Sequence, residues 1–211
     1  MVRGDVLFVS GSLRRGSYNT ALLREAANAL PSGVNHKWLD GIAALPPYSE
    51  DDDGGRAPAA VERLRRTIAA ADAVLIATPE YNGSIPGGLK NAVDWASRPY
   101  PDNAWRDKPV AVIGASTGIF GAVWAQAQLR KSLRSAGARV INAELAVGGA
   151  HDAFLPSGAP RDPGHATGLR DVVAALVDTQ PDRKPERDGR GGAATRSLES
   201  SEPEVHIDRR R

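Results

Sequence analysis

The sequence predicts an α/β protein: a doubly wound, five-stranded parallel sheet with helices on both faces. Two observations carry this. Short apolar runs alternate five times with segments of helical period. The run Ala73–Ala77 (AVLIA) is apolar at every position, as expected of a strand covered on both faces. A third observation concerns function: three loops leaving such runs are rich in glycine, hydroxyl and amide residues.

The elements follow in order. Asp5–Ser10 (DVLFVS) is a strand ending in a glycine-serine loop. Tyr18–Leu30 is a helix with Leu23, Ala26, Ala27 and Leu30 on one face, broken by Pro31-Ser32-Gly33. Val34–Leu39 is the second strand, followed by a Pro-, Asp- and Gly-rich loop to Arg56. Ala57–Ala70 is helical and Asp72–Thr78 is the third strand. Pro86–Ser97 is a helix whose proline suits the first turn. Pro109–Ala115 and Arg139–Val147 are strands flanking the helix Gly121–Gly137, where Ala125, Leu129, Leu133 and Ala136 make the core face. Val123, Trp124 and Ala127 point away from that face and leave a second apolar patch, which predicts that the protein associates with itself. Gly164–Asp178 is the last helix, with Leu169, Val172, Val173 and Leu176 on one side. Residues 1–179 are therefore expected to form one domain. Residues 180–211 are polar, with acidic and basic residues nearly balanced, and are expected to form a disordered tail.

Composition excludes several classes. The chain has 211 residues, no cysteine and a formal net charge of +2. Disulfides, thiol catalysis and zinc-cysteine sites are excluded. The charge is too small to argue for nucleic acid, and no apolar run is long enough to span a membrane. The N-terminus lacks the pattern of a signal peptide, and no apolar segment follows Arg14-Arg15, so the cytoplasm is the expected location.

In an open parallel sheet, ligands bind beyond the carboxyl ends of the strands, where strand order reverses. The first loop, SGSLRRGSYNT (Ser10–Thr20), opens a helix. Its amides and dipole favour an anion, Ser12, Ser17, Asn19 and Thr20 add polar groups, and Arg14 adds a planar charged fork. Gly11 and Gly16 have the spacing of a nucleoside-triphosphate loop. Ser17-Tyr18 stand where Lys-Ser/Thr belongs, so a single terminal phosphomonoester fits better. The second loop begins Pro79-Glu80-Tyr81-Asn82-Gly83. It offers a rigid turn, outward backbone amides for the polar edge of a flat heterocycle, and the face of Tyr81. A phosphate at one loop and a flat ring at the next describe FMN. The third loop, Ala115–Gly121 (ASTGIFG), completes G-x-S-x-G with Gly114. That pattern admits a serine hydrolase using Ser116, with Glu144 or Asp152 and then His151, His165 or His206 in support.

Together GSLRRGSYN, TPEYNGSIPGGLKNAVDW and GASTG resemble the NADPH-dependent FMN reductase family of quinone, azo-dye and chromate reductases, over roughly residues 5–178. The resemblance implies a flavodoxin-like sheet of order 2-1-3-4-5 with noncovalent FMN. It implies phosphate at Ser12, Arg14, Ser17, Asn19 and Thr20, the ring at Pro79, Glu80, Tyr81, Asn82 and Gly83, and the ring's far edge at Ser116, Thr117 and Gly118. Hydride from NADPH or NADH would pass through the flavin to a small-molecule acceptor such as a quinone, flavin, azo compound or metal oxyanion. No catalytic side chain and no metal is required. Arg14, Arg15, Lys90 and Arg98 are expected to make the mouth electropositive, whereas Arg106 and Lys108 fit ordinary solvated surface better. A single-electron carrier of flavodoxin type and an FMN-binding sensor are the alternatives within this fold. Residues Asp152–Asp162 carry no motif of the family.

Overall fold

Five of the apolar runs form parallel strands in the computed structural model, which describes residues 4–53 and 57–179. The tail expected from residue 180 onward lies outside the described residues. In chain order the elements are β1 (Gly4–Ser10), α1 (Tyr18–Asn28), β2 (Val34–Trp38), α2 (Ala59–Ala70), β3 (Ala73–Thr78), α3 (Gly87–Ala96), β4 (Pro109–Ala115), α4 (Val123–Ser135), β5 (Arg139–Val147) and α5 (Pro163–Asp178). The strand order is β2-β1-β3-β4-β5, the flavodoxin-like order. The boundaries differ from the sequence expectation by a residue or two at most ends. Pro86, for example, is the N-cap of α3 and not its first helical residue.

Strand alternation sorts side chains into two cores. Leu7, Val9, Val74, Ile76, Val110 and Val112 point to the face covered by α2, α3 and α4. Val6, Phe8, Leu75, Ala111 and Ile113 point to the face covered by α1 and α5. Because both faces are covered, β3 and β4 are buried at every residue. β2 and β5 are the edges and show mostly part-exposed or exposed side chains. The loop after β2 is fastened to α3, since Asn91 Nδ2 and Trp95 Nε1 both donate to Pro46 O at 2.8 Å.

The one irregular ladder is β4–β5. Val110 faces Val140 but Val112 faces Glu144, so β5 carries extra residues there. Arg130 of α4, 5% exposed, fills the irregularity. Its guanidinium donates to Val112 O at 2.6 Å and to Ala143 O at 3.4 Å, and pairs with Glu144 at 2.9 Å. Burial pulls its pKa below the ordinary arginine value and Glu144 works against that. The group stays charged, because an arginine starts so far above neutrality.

Candidate active site

The strand order reverses between β1 and β3. The chain leaves β1 toward β2 on one side and later returns to pair β3 on the other. The loops after β1 and β3 therefore diverge at one carboxyl edge and open a cleft between them, with the loop after β4 beside it.

In the first loop, Ser17 is the N-cap of α1 and accepts from Thr20 N at 3.2 Å. The hydroxyls of Ser10 and Thr20 meet at 3.0 Å, and Ser10 Oγ donates to Ser12 O at 3.1 Å. Ser12 and Ser17 are buried, whereas Arg14 and Arg15 are exposed. The backbone N–H groups of Leu13, Arg15, Gly16 and Ser17 donate to no protein group among the described residues. These amides, the hydroxyls and the Arg14 guanidinium fork are groups that could hold an anion. The Asn19 side-chain amide is engaged with the sheet: Nδ2 donates to Ala115 O and Oδ1 accepts from Ala115 N, both at 2.9 Å. Asn19 thereby ties the start of α1 to the end of β4, and one Nδ2 hydrogen remains for a further acceptor.

The second loop is a two-residue hairpin. Tyr81 and Ser84 exchange both backbone hydrogen bonds at 3.1 Å, and Asn82 and Gly83 have φ of 52° and 71°. Positive φ at both central residues is the type I′ turn that Asn-Gly favours. The N–H groups of Asn82 and Gly83 donate to no protein group among the described residues. Gln128 of α4 braces the turn, donating to Gly83 O at 3.3 Å and accepting from Ser84 Oγ at 2.7 Å. Pro79 is buried and Tyr81 is half exposed. The Glu80 side chain turns away from the cleft. Its Oε2 accepts from Trp124 N and Ala125 N, each at 3.1 Å, and so caps α4. The helix needs this, because its own N-cap residue, Ala122, has no side-chain acceptor.

The third loop is locked to the end of β5. Ser116 N donates to Val147 O at 3.0 Å, and Gly149 N donates to Gly118 O at 3.1 Å. Ile119 O lies so close to Gly148 that an added Cβ there would stand 2.2 Å from it. Thr117 and Gly118 are exposed at the rim and Ser116 is half buried. The hydrolase reading fails on geometry. A nucleophile elbow holds its serine in a strained turn, but the only non-glycine residues at positive φ among those described are Asn82, Asp107 and Ala122. Ser116 Oγ instead accepts from Gly118 N at 3.2 Å, and His151 pairs with Asp152 at 3.1 Å.

The expected ring of cations shrinks to Arg14 and Arg15. Arg106 and Lys108 precede β4 at the opposite edge of the sheet, where Lys108 donates to Ala69 O and Ala71 O. Burial lowers the Lys108 pKa from its ordinary value, with Asp72 opposing. Arg98 follows the far end of α3 and lies over Tyr48, and Lys90 is paired with Asp94 at 2.5 Å. Leu13, Ile119 and Phe120 escape local reading; like Trp124, which helical spacing places away from the core, they are exposed, and Phe120 and Trp124 form an edge-to-face pair at 5.0 Å. Gln126, 1% exposed, holds Gly121 O at 3.0 Å; a polar residue on the core face of a helix is the signal that marks it.

The donor set fits FMN: amides, hydroxyls and Arg14 for the phosphate, hairpin amides and Tyr81 for the ring. Fold and strand order thus define a flavodoxin-like protein. The family model for NADPH-dependent FMN reductase matches residues 5–152, and the chain belongs to that family. It is 48% identical over 154 residues to an NAD(P)H-dependent FMN reductase of Pseudomonas aeruginosa, covering 72% of this chain and 82% of the relative. It is 41% identical over 175 residues to a quinone reductase of Pseudomonas putida, covering 82% and 91%. Among solved structures it is similar to FerB of Paracoccus denitrificans, a flavoenzyme NAD(P)H:(acceptor) oxidoreductase. There the TM-score is 0.74 at 40% identity, with 83% of this chain and 96% of that one covered.

Proposed function

We propose that this chain is an FMN-dependent NAD(P)H oxidoreductase that passes reducing equivalents to a quinone. The observation that carries the reading is the Tyr81–Ser84 hairpin after β3, whose two central N–H groups donate to no protein group among the described residues, at the carboxyl edge it shares with the loop after β1. Bound FMN supplies the hydride relay between nicotinamide and acceptor. The chain supplies binding and electrostatics. The N–H groups of Asn82 and Gly83 would hold the polar edge of the ring and favour negative charge there, a preorganised role that needs no proton transfer. Gln128 of α4 holds the turn at Gly83 O, and Glu80 ties the start of the loop to the first turn of α4. The acceptor side makes no demand beyond an open flat face, which suits a quinone of the kind named for the relatives.

Three finer readings belong with this. The chain acts as a homodimer or homotetramer through the rim of Phe120, Val123 and Trp124, all exposed in the single chain. The reaction takes place in the cytoplasm, where NAD(P)H is held; no helix among the described residues is long and apolar enough to cross a membrane. The reductase domain spans residues 1–179, with residues 180–211 as an appendage.

The first test is the visible spectrum of the purified protein, followed by steady-state oxidation of NADPH and NADH with a benzoquinone acceptor. A flavin spectrum and acceptor-dependent turnover are expected. Absence of both, with FMN supplied, rejects the reading. Light scattering that finds a monomer at micromolar concentration rejects the self-association.

A further inference from the structure

We propose that Phe154, acting through Tyr18, is a positioning residue for the Arg14 guanidinium, and that the hairpin carrying Phe154 is part of the cofactor site. The inference rests on the reading that the first loop holds the FMN phosphate.

Arg14 is exposed, yet its side chain has a defined seat. Its Cζ lies 5.1 Å from the centroid of the Tyr18 ring. Its Nη1 is 3.6 Å from where a Cβ on Gly16 would stand, so the side chain folds back over its own loop. Tyr18 is the first residue of α1, and its backbone is set by the Ser17 cap. Its ring is set from elsewhere: Phe154 stacks on it at 5.8 Å with an interplanar angle of 11°.

Phe154 belongs to the segment Asp152–Asp162, in which no motif is legible. The structure makes it a small hairpin. Phe154 bridges Pro160, Leu155 N donates to Ala159 O at 2.8 Å, and Arg161 N donates to Ala153 O at 2.8 Å. Ala153 and Phe154 also pack on the core beneath α1 and α5, which makes the hairpin a rigid support. The column Phe154–Tyr18–Arg14 thus runs from the core to the mouth of the anion loop.

An arginine has large rotamer freedom, and binding must remove it. A guanidinium held over an aromatic face is partly ordered beforehand, while its donors remain available in its own plane. Ordering before binding raises affinity without a new contact to the ligand. The support acts on the phosphate end alone, so it should separate FMN from riboflavin, which lacks the phosphate.

The experiment titrates apoprotein with FMN and with riboflavin and follows flavin fluorescence. Phe154→Ala is expected to weaken FMN binding about three- to tenfold, the size of an aromatic or cation–π contact, and to leave riboflavin unchanged. Phe154→Leu, which keeps apolar bulk but no flat face, should behave like Phe154→Ala, and Phe154→Tyr should restore wild-type affinity. In an Arg14→Ala background the Phe154→Ala effect should vanish. Equal weakening of both ligands, or an undiminished effect without Arg14, overturns the inference. If Arg14→Ala leaves the ratio of FMN to riboflavin affinity unchanged, the phosphate reading of the first loop falls as well.

Discussion

Arg14 in the loop after β1 and Asn82 in the loop after β3 would act on FMN by different means, one through a side chain and the other through its backbone. Arg14 offers a charged fork to the phosphate. Losing a hydrogen bond to a charged group costs about 1.5–3 kcal/mol, or roughly 10- to 150-fold in affinity. Arg14→Ala should purify with little flavin and recover its rate when FMN is supplied in excess, because the ring site is intact. Asn82 holds φ at 52°, a value a proline ring cannot reach. Asn82→Pro removes one of the two outward amides and breaks the turn that presents the other. It should stay slow in NADPH oxidation even at saturating FMN. The reverse pattern, with Arg14→Ala inactive and Asn82→Pro rescued, would mean that phosphate and ring are assigned to the wrong loops. Asn19 joins the first loop to the third: its position at a helix start invites an anion role, and its side-chain amide exchanges two hydrogen bonds with Ala115.

At the scale of elements, α4 depends on a loop that precedes it by a strand and a helix. Its first turn has no cap of its own, since Ala122 sits in the left-handed region with no side-chain acceptor. The Glu80 carboxylate supplies the cap and also places a negative charge at the positive end of the helix. Glu80→Ala should cost about 1–2 kcal/mol. For a domain of this size that is a fall of about 2–8 °C in Tm. The same variant should lose FMN affinity, because Glu80 adjoins the hairpin whose amides are proposed to hold the ring. A melting curve identical to wild type would show that the cap contributes nothing. Arg130 plays a comparable role between α4 and the β4–β5 ladder, where it satisfies carbonyls that the register shift exposes.

For the whole molecule, the two cores are complete within the described residues, and α5 closes the second of them with Leu169, Val172, Val173 and Leu176. Nothing in either core waits for a later segment to cover it. A chain stopped at Gln180 should therefore keep both its melting temperature and its reductase rate. A large loss in either would show that the charged segment contributes to the folded domain. The site is likewise a property of the whole, since its loops come from three strands that are adjacent only because of the order β1-β3-β4.

What the sequence determined by itself was much of what depends on near neighbours. Short apolar runs place the strands, and the helical period places the buried face of α4, with Ala125, Leu129, Leu133 and Ala136 inside as their spacing requires. Asn82-Gly83 is a turn because those residue types tolerate positive φ. Ser17 caps α1 because a hydroxyl before a helical run can reach an amide three residues on. The tertiary structure alone decided which distant groups meet. Asn19 reaches Ala115 across 96 positions, and Glu80 reaches the start of α4 across 44. Arg130 finds carbonyls on two strands, and Phe154 finds Tyr18. These pairings follow from strand order and helix placement. A side chain's local sequence records its chemistry but not its neighbour, because the neighbour is chosen by the burial of both cores together.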